Sequence, residues 1–425
     1  MFISVSQPFL TGQRAVLIHF CNYILSEVFY IMKKHSVISC LLAFCLCFAI
    51  TMPTLAATSV YEVEAEHDLA VVNEDNVNFD VSELDAFVQE AESEFAKESM
   101  EKAVNIQAYS LENAFSDEEL PLVFNMTVVG EDYSMTYYKE EGQNAVVYVS
   151  ESKPVENQDT VLTQEELTDE IMPMSLSGCN GPCSKNADLD DGYGVRLPIL
   201  NTSGKELTFT VVTSGYSDTK LPTNSQGKTL EGNCYLYGGF SANTASNNYE
   251  ADLGLIYQKL KDSTEIGWKP YFLFKKGSTE LAYTYPDPNY SDVQGKSTYI
   301  PGDANGIGVE IYPNYNGSCQ IRLRTEGKTM HTNQYGGSQQ KWLVNIIQTK
   351  NAYVLSHISK YKLLATSTVK SPYTENDISQ TYCSGKFTKI AIGGSTPSFG
   401  SLETDYGYGT KNATNAYTLG VCKGK

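Results

Sequence analysis

Residues 232–241 read Gly-Asn-Cys-Tyr-Leu-Tyr-Gly-Gly-Phe-Ser, and residues 249–257 read Tyr-Glu-Ala-Asp-Leu-Gly-Leu-Ile-Tyr. In the second segment Glu250, Asp252, Gly254 and Ile256 fall on one side of a period of two, and Ala251, Leu253 and Leu255 on the other. That period belongs to a strand, whose successive side chains point to opposite faces. A strand with one apolar and one polar face needs a second layer to cover the apolar one.

The same pattern spreads outward. From Gly178 onward no helical periodicity survives, while Val, Thr, Tyr, Ile and Phe are dense and Gly, Asn, Asp and Ser interrupt them every 8 to 12 residues. Strands are expected at 207–213, 232–241, 249–257, 268–275, 297–301, 308–313, 319–325, 342–348, 363–370 and 387–392. Asn314-Tyr315-Asn316-Gly317 contains Asn-Gly, the strongest short hairpin signal. The class is therefore mainly β, and residues 176–425 are expected to form an antiparallel β-sandwich of the lectin-like jelly-roll sort.

The segment before it is different. Between 58 and 175 there are 29 Asp and Glu against four Lys and no Arg, which more than accounts for the net charge of −19. So acidic a chain repels nucleic acid, whose phosphates need clustered Lys and Arg. Val81, Leu84, Phe87, Val88, Ala91 and Phe95 recur at helical spacing, with Ser82 and Asp85 near its start in a near capping box. Strands follow at 122–129, 133–139 and 145–150. This is a small α+β acidic leader, readable as a propeptide or a spacer, joined to the β domain by residues 151–174.

Residues 1–57 read as targeting. Lys33-Lys34, the apolar run 36–52 and Thr54-Leu55-Ala56-Ala57 form the three regions of a signal peptide cleaved after Ala57, with Met32 a plausible true start. The apolar run is shorter than the about 20 residues a helix needs to cross a bilayer, so the mature chain is expected to be secreted, with no membrane span. Four of ten cysteines lie in this region, which leaves Cys179, Cys183, Cys234, Cys319, Cys383 and Cys422. Six cysteines in an exported chain read as up to three disulfides with the pairing open. Zinc is the rival, but no nearby His or second close cysteine pair completes four ligands around Cys179 and Cys183.

Tyr235-Leu236-Tyr237-Gly238-Gly239-Phe240, then Glu250-Ala251-Asp252-Leu253-Gly254-Leu255, then Trp268-Lys269-Pro270, in that order and spacing, resemble the YrpD-like family of secreted bacterial proteins. The resemblance spans about residues 190–394 and continues through Ile321-Arg322-Leu323, Lys341-Trp342 and Ser359-Lys360-Tyr361-Lys362. The family is uncharacterised in function. The resemblance therefore implies a secreted β-rich domain and supplies no catalytic residues.

Two constellations could carry chemistry. Glu250 and Asp252 stand side by side on one strand face, as the paired carboxylates of a glycoside hydrolase do, but Leu255 occupies the place of a further acid, and a solvated polar face explains the pair as well. On 319–326, Gln320, Arg322, Arg324 and Glu326 share a face, with His331 close behind. An Arg row could clamp a sugar acid while His331 or a tyrosine takes its proton, as a polysaccharide lyase requires; a cross-strand salt-bridge ladder with Glu250 or Glu310 is the plainer reading. Among the 29 tyrosines, most serve packing, and Tyr235, Tyr237, Trp268 and Tyr271 are the candidates for stacking on a glycan or cell-envelope polymer. No cofactor is required. The loops 188–192 and 303–306 are oxygen-rich in the manner of calcium loops, yet neither has the full ligand spacing, so both read first as turns, with calcium the alternative. Glycan binding leads, polysaccharide cleavage is the alternative, and a secreted factor held latent by its acidic leader is the third reading.

Overall fold

The computed structural model describes residues 59–62, 69–73, 76–112, 121–152, 183–189, 192–200, 206–214, 219–243, 248–259, 266–277, 279–284, 306–325, 329–332, 338–350 and 358–424. The expected signal peptide, the strand at 297–301 and residues 303–305 of the loop 303–306 lie outside them. In chain order the elements are β1 (Ser59–Glu62), β2 (Ala70–Asn73), the helix α1 (Val81–Glu112), β3 (Leu122–Val129), β4 (Tyr133–Glu140) and β5 (Val146–Glu151). There follow β6 (Ser184–Lys185), β7 (Tyr193–Ile199), β8 (Leu207–Thr213), β9 (Lys220–Thr223), β10 (Gly232–Asn243), β11 (Asn248–Lys259), β12 (Ile266–Lys276) and β13 (Thr279–Thr284). The last are β14 (Ile307–Tyr315), β15 (Ser318–Thr325), β16 (Thr329–Thr332), β17 (Ser338–Thr349), β18 (Ile358–Val369), β19 (Gln380–Ile392), β20 (Glu403–Ala413) and β21 (Ala416–Lys423).

The chain divides into two compact units, one of residues 1–78 with 144–150 and one of residues 79–143 with 151–425. In the first, β1 runs antiparallel to β2, and β2 runs parallel to β5 with Ala70 opposite Val146. The Asn73 side chain closes the turn after β2, donating to the Val77 carbonyl and accepting from its amide, both at 2.8 Å.

The second unit is mainly β and holds the functional candidates. Its strands join edge to edge in the order β13, β12, β11, β10, β18, β7, β20, β21, β19, β8, β14, β15, β17, β3, β4. All these pairs are antiparallel except β17 with β3, which is parallel, with Trp342 opposite Leu122. The mainly β class expected from the sequence is thus observed. The strands do not separate into the two antiparallel sheets of a jelly roll, because β20 bridges β7 and β21 and makes one large open mixed sheet.

Two arms of this sheet lie face to face. A Cβ on Gly238 of β10 would stand 2.9 Å from both Ile311 Cδ1 of β14 and a Phe209 ring carbon of β8, so the arms touch there. Leu236, Phe240, Leu253, Leu255 and Phe272 of one arm and Val211, Val309, Ile311, Leu323 and Phe387 of the other are buried. At about 25 cal/mol per Å² of apolar surface, such interdigitated side chains supply most of the drive to fold. Where β7 passes between β18 and β20, only glycine fits: Gly194 has φ of +151°, and a Cβ on Gly407 would lie 2.1 Å from the Gly194 carbonyl oxygen.

The helix begins at a different cap from the expected Ser82 and Asp85. Asp80 accepts from the Ser82 amide and hydroxyl at 2.8 Å each, because its side chain sits one residue before the first turn and can reach the free amides there. Leu84, Phe87 and Ala91 form its buried stripe, and the Phe95 and Phe124 rings meet edge to face at 5.8 Å. The hairpin at Asn316 and Gly317 has φ of +49° and +98°, the primed turn that Asn-Gly favours. Among the described residues no helix is long and apolar enough to cross a membrane.

Candidate functional site

On the outward face of β10, β11 and β12, strand register places Tyr237 opposite Gly254 and Gly254 opposite Tyr271. With no side chain at 254, the flanking tyrosines close over the gap: the Tyr237 and Tyr271 ring centroids are 6.3 Å apart, Tyr235 and Tyr271 are 5.0 Å apart, and Tyr235 and Tyr237 are 6.2 Å apart. Tyr237 is buried and supports the other two, which are partly exposed. Asn233 donates its amide to the Tyr235 hydroxyl at 3.1 Å. Burial raises the Tyr235 phenol above its ordinary range, so it stays protonated and able to donate. Trp268 belongs elsewhere: its ring is fully enclosed, 5.2 Å from that of Tyr257, and its Nε1 donates to the Ser214 carbonyl at 3.2 Å. The period of two sends residue 268 to the face opposite Tyr271, into the core rather than toward a ligand.

The paired carboxylates stand beside this cluster. Both reach one ammonium: Lys362 Nζ of β18 is 3.1 Å from Glu250 and 2.9 Å from Asp252. Lys362 is buried, Asp252 is nearly so, and Glu250 is almost half exposed. The pair is thus engaged by one cation of a neighbouring strand rather than facing an open cleft as two independent carboxyls.

The arginine row is covered by the acidic helix. Arg322 is 2 % exposed and donates to Glu94 at 2.8 Å and to Gln320 at 2.7 Å, while its guanidinium stacks on the Tyr315 ring at 4.6 Å. Arg324 donates Nε to Glu98 at 2.9 Å and Nη2 to the same carboxylate at 2.6 Å, with Glu310 at 2.5 Å on its other side. Gln320 donates to Gln348 at 2.6 Å, and Gln348 donates to Glu90 at 3.2 Å. Burial works against charge on Glu94, but the bond and charge of Arg322 outweigh it and hold the carboxyl below its ordinary range. The expected ladder partner Glu310 is present, whereas Glu250 stands with Lys362 instead. Nε and Nη1 of Arg322 and Nε, Nη1 and Nη2 of Arg324 are turned toward carboxylates or a neighbouring glutamine rather than left open for a sugar acid. His331 lies on β16 opposite Gln339, and its side chain is outside the described residues.

Residues 186–412, more than half of the chain, match the family described as "Domain of unknown function, YrpD". The chain belongs to the YrpD family. No curated protein matches it. The YrpD domain contains the tyrosine cluster, the Lys362 group and the arginine row, while α1 and β3 precede it.

A disulfide closes the YrpD domain from outside both of its ends: Cys183 is bonded to Cys422 across 239 residues, with Cα atoms 5.9 Å apart. A cross-link over so long a loop contributes about 2–5 kcal/mol by restricting the unfolded chain. Cys234, Cys319 and Cys383 are buried thiols, and Cys179 lies outside the described residues. In the loop 188–192, Asp188 pairs with Lys185 at 2.8 Å, and Lys185 also reaches Asp405 at 2.9 Å. Among the described residues, no group of three His, Cys, Asp or Glu is placed to hold a metal.

Sequence reasoning missed Lys362 and Asn233 as members of the outward site, and Glu94 and Glu98 as counter-charges to the arginines. The last pair had a signal. Their spacing of four continues the buried stripe of Leu84, Phe87 and Ala91, so two carboxylates were aimed at the surface the helix packs on.

Proposed function

We propose that this is an exported protein whose YrpD domain binds a glycan or cell-envelope polymer on the outward face of β10, β11 and β12. The observation that carries the reading is the Tyr235, Tyr237 and Tyr271 cluster around Gly254. Partly exposed rings offer flat apolar surface to sugar C–H groups, and the neighbouring Asn233, Glu250 and Lys362 supply the few polar contacts that orient hydroxyls. Export is supported by the signal-peptide pattern of residues 33–57 and by a disulfide, a bond that persists in oxidising compartments. Binding is preferred to polysaccharide cleavage because the paired carboxylates Glu250 and Asp252 share one ammonium.

A second reading, latency imposed by the acidic leader, is favoured by one observation: Glu94 and Glu98 occupy the donors of Arg322 and Arg324 as an anionic ligand would. One experiment addresses both. The secreted chain, its Tyr271→Ala variant and its Glu94→Gln, Glu98→Gln variant are applied to an array of neutral and acidic glycans and envelope polymers. Binding that Tyr271→Ala weakens by about tenfold, the worth of one stacked ring, supports the tyrosine face. A blank array sinks it. New binding to acidic polymers by the glutamine variant alone favours latency.

A further inference from the structure

With Cys183 and Cys422 joined, Cys234, Cys319 and Cys383 remain as thiols in the structure, all buried. Two of them face one another. Cys234 is on β10 and Cys383 on β19, strands of opposite arms that approach within 8 Å, Cα to Cα. The approach is close because Gly385 has no side chain: a Cβ there would stand 2.8 Å from Leu236 Cδ1. Cys383 is two residues before Gly385, and Cys234 is two before Leu236. By the strand period, both thiols point into the same gap between the arms. Thr381, the preceding inward residue of β19, confirms the alignment, with its Oγ1 3.8 Å from Cys234 Sγ. Ser367 Oγ lies 3.7 Å from the same sulfur, and Cys383 is within hydrogen-bonding reach of it.

We infer that Cys234 and Cys383 form a second disulfide that staples the two arms of the YrpD domain together. The oxidant is a protein or small-molecule disulfide. One thiolate attacks that disulfide and releases one donor thiol; the other then attacks the mixed disulfide and releases the second. Two thiol protons and two electrons pass to the donor. Both cysteines are at most 2 % exposed, so the exchange precedes closure of the arms during folding. Burial disfavours a thiolate at Cys234, but bonds from Cys383, Ser367 and Thr381 outweigh it and leave the thiol below its ordinary range. Cys319 is the contrast: burial alone pushes its thiol up. The inference is independent of the ligand proposed above.

The test is peptide mapping of the full secreted chain, denatured without reductant, alkylated and digested, on the fraction that carries the Cys183–Cys422 cross-link. The expected result is a peptide pair joined through Cys234 and Cys383, and its replacement by an alkylated Cys383 in Cys234→Ser. Recovery of both cysteines alkylated in the unmutated chain overturns the inference. So does either one joined to a different cysteine. The unmutated chain decides the matter even where the serine variant does not fold.

Discussion

The face of β14 and β15 under α1, with Glu310, Arg322 and Arg324, and the outward face of β11 and β18, with Glu250, Asp252 and Lys362, carry the same kinds of residue, cations and carboxylates, yet they are built for different surroundings. Under the helix, Arg322 and Glu98 are 2 % and 1 % exposed, and Arg322 and Arg324 each meet a helix carboxylate. On the other face one buried lysine serves two carboxylates, and Glu250 remains 45 % exposed. Charges sealed from water must be paired, whereas charges at the surface can be left to it. The first face is a structural joint. The second leaves one of its carboxylates open to water.

Mutation sharpens that contrast most strongly at the joint. Arg322→Ala removes the buried cation that faces Glu94 and Glu98, leaving Glu94 with Lys97 and the Tyr315 hydroxyl alone, and takes away the plane stacked on Tyr315, so a loss of about 3 kcal/mol is expected in urea unfolding. If the variant loses less than about 1 kcal/mol, the helix is held by its apolar stripe alone, and the arginine row is available for another use.

Acid should act on the same joint with a smaller effect. The Glu94 carboxyl, ordinarily at 4.5, is lower in the folded chain. Its contribution to stability is therefore complete above that ordinary value and is lost as pH falls through the folded one. Glu141, held down by Lys102 and the Leu122 amide against its burial, has the same sign. Hydrogen exchange across α1 should accelerate below pH 4.5 before it does in β10 and β11. Simultaneous loss of both regions would show that the helix does not open by itself.

Of the two substitutions, the smaller change is expected at Lys362. In Lys362→Met the buried ammonium and its desolvation cost disappear together and Glu250 can turn to water, but the buried Asp252 loses its cation, so unfolding should shift by about 1–3 kcal/mol. Ligand affinity is the sensitive readout there. A loss as large as that of Arg322→Ala would place the Lys362 group with the structural joints instead.

Several elements were legible because their cause is local. The period of two located β8 and β3 residue for residue and found β10, β11, β12 and β15 within a few, since each buries one face of a regular strand. Others had no local signature. β7 contains Pro198 and Gly194, and β20 reads Tyr-Gly-Tyr-Gly, both patterns that argue against strands. They are strands because the chain must pass close to itself where the two arms join. Of the site, Tyr235, Tyr237 and Tyr271 could be picked out as a set from alternation, but Trp268 was misjudged, because an aromatic residue does not disclose which face of its strand is covered.

By itself, the sequence determined the mainly β class, the helix within an acidic segment, the Asn-Gly hairpin and the membership of the YrpD family, all consequences of neighbouring residues or of their order along the chain. Only the tertiary structure decided that β3 joins β17 in parallel, that Glu94 and Glu98 answer Arg322 and Arg324 across more than 220 residues, that Lys362 holds Glu250 with Asp252, and that Cys183 meets Cys422. Those pairings depend on which surfaces burial brings together. A carboxylate's partner is chosen by what is left in reach once the apolar faces have closed.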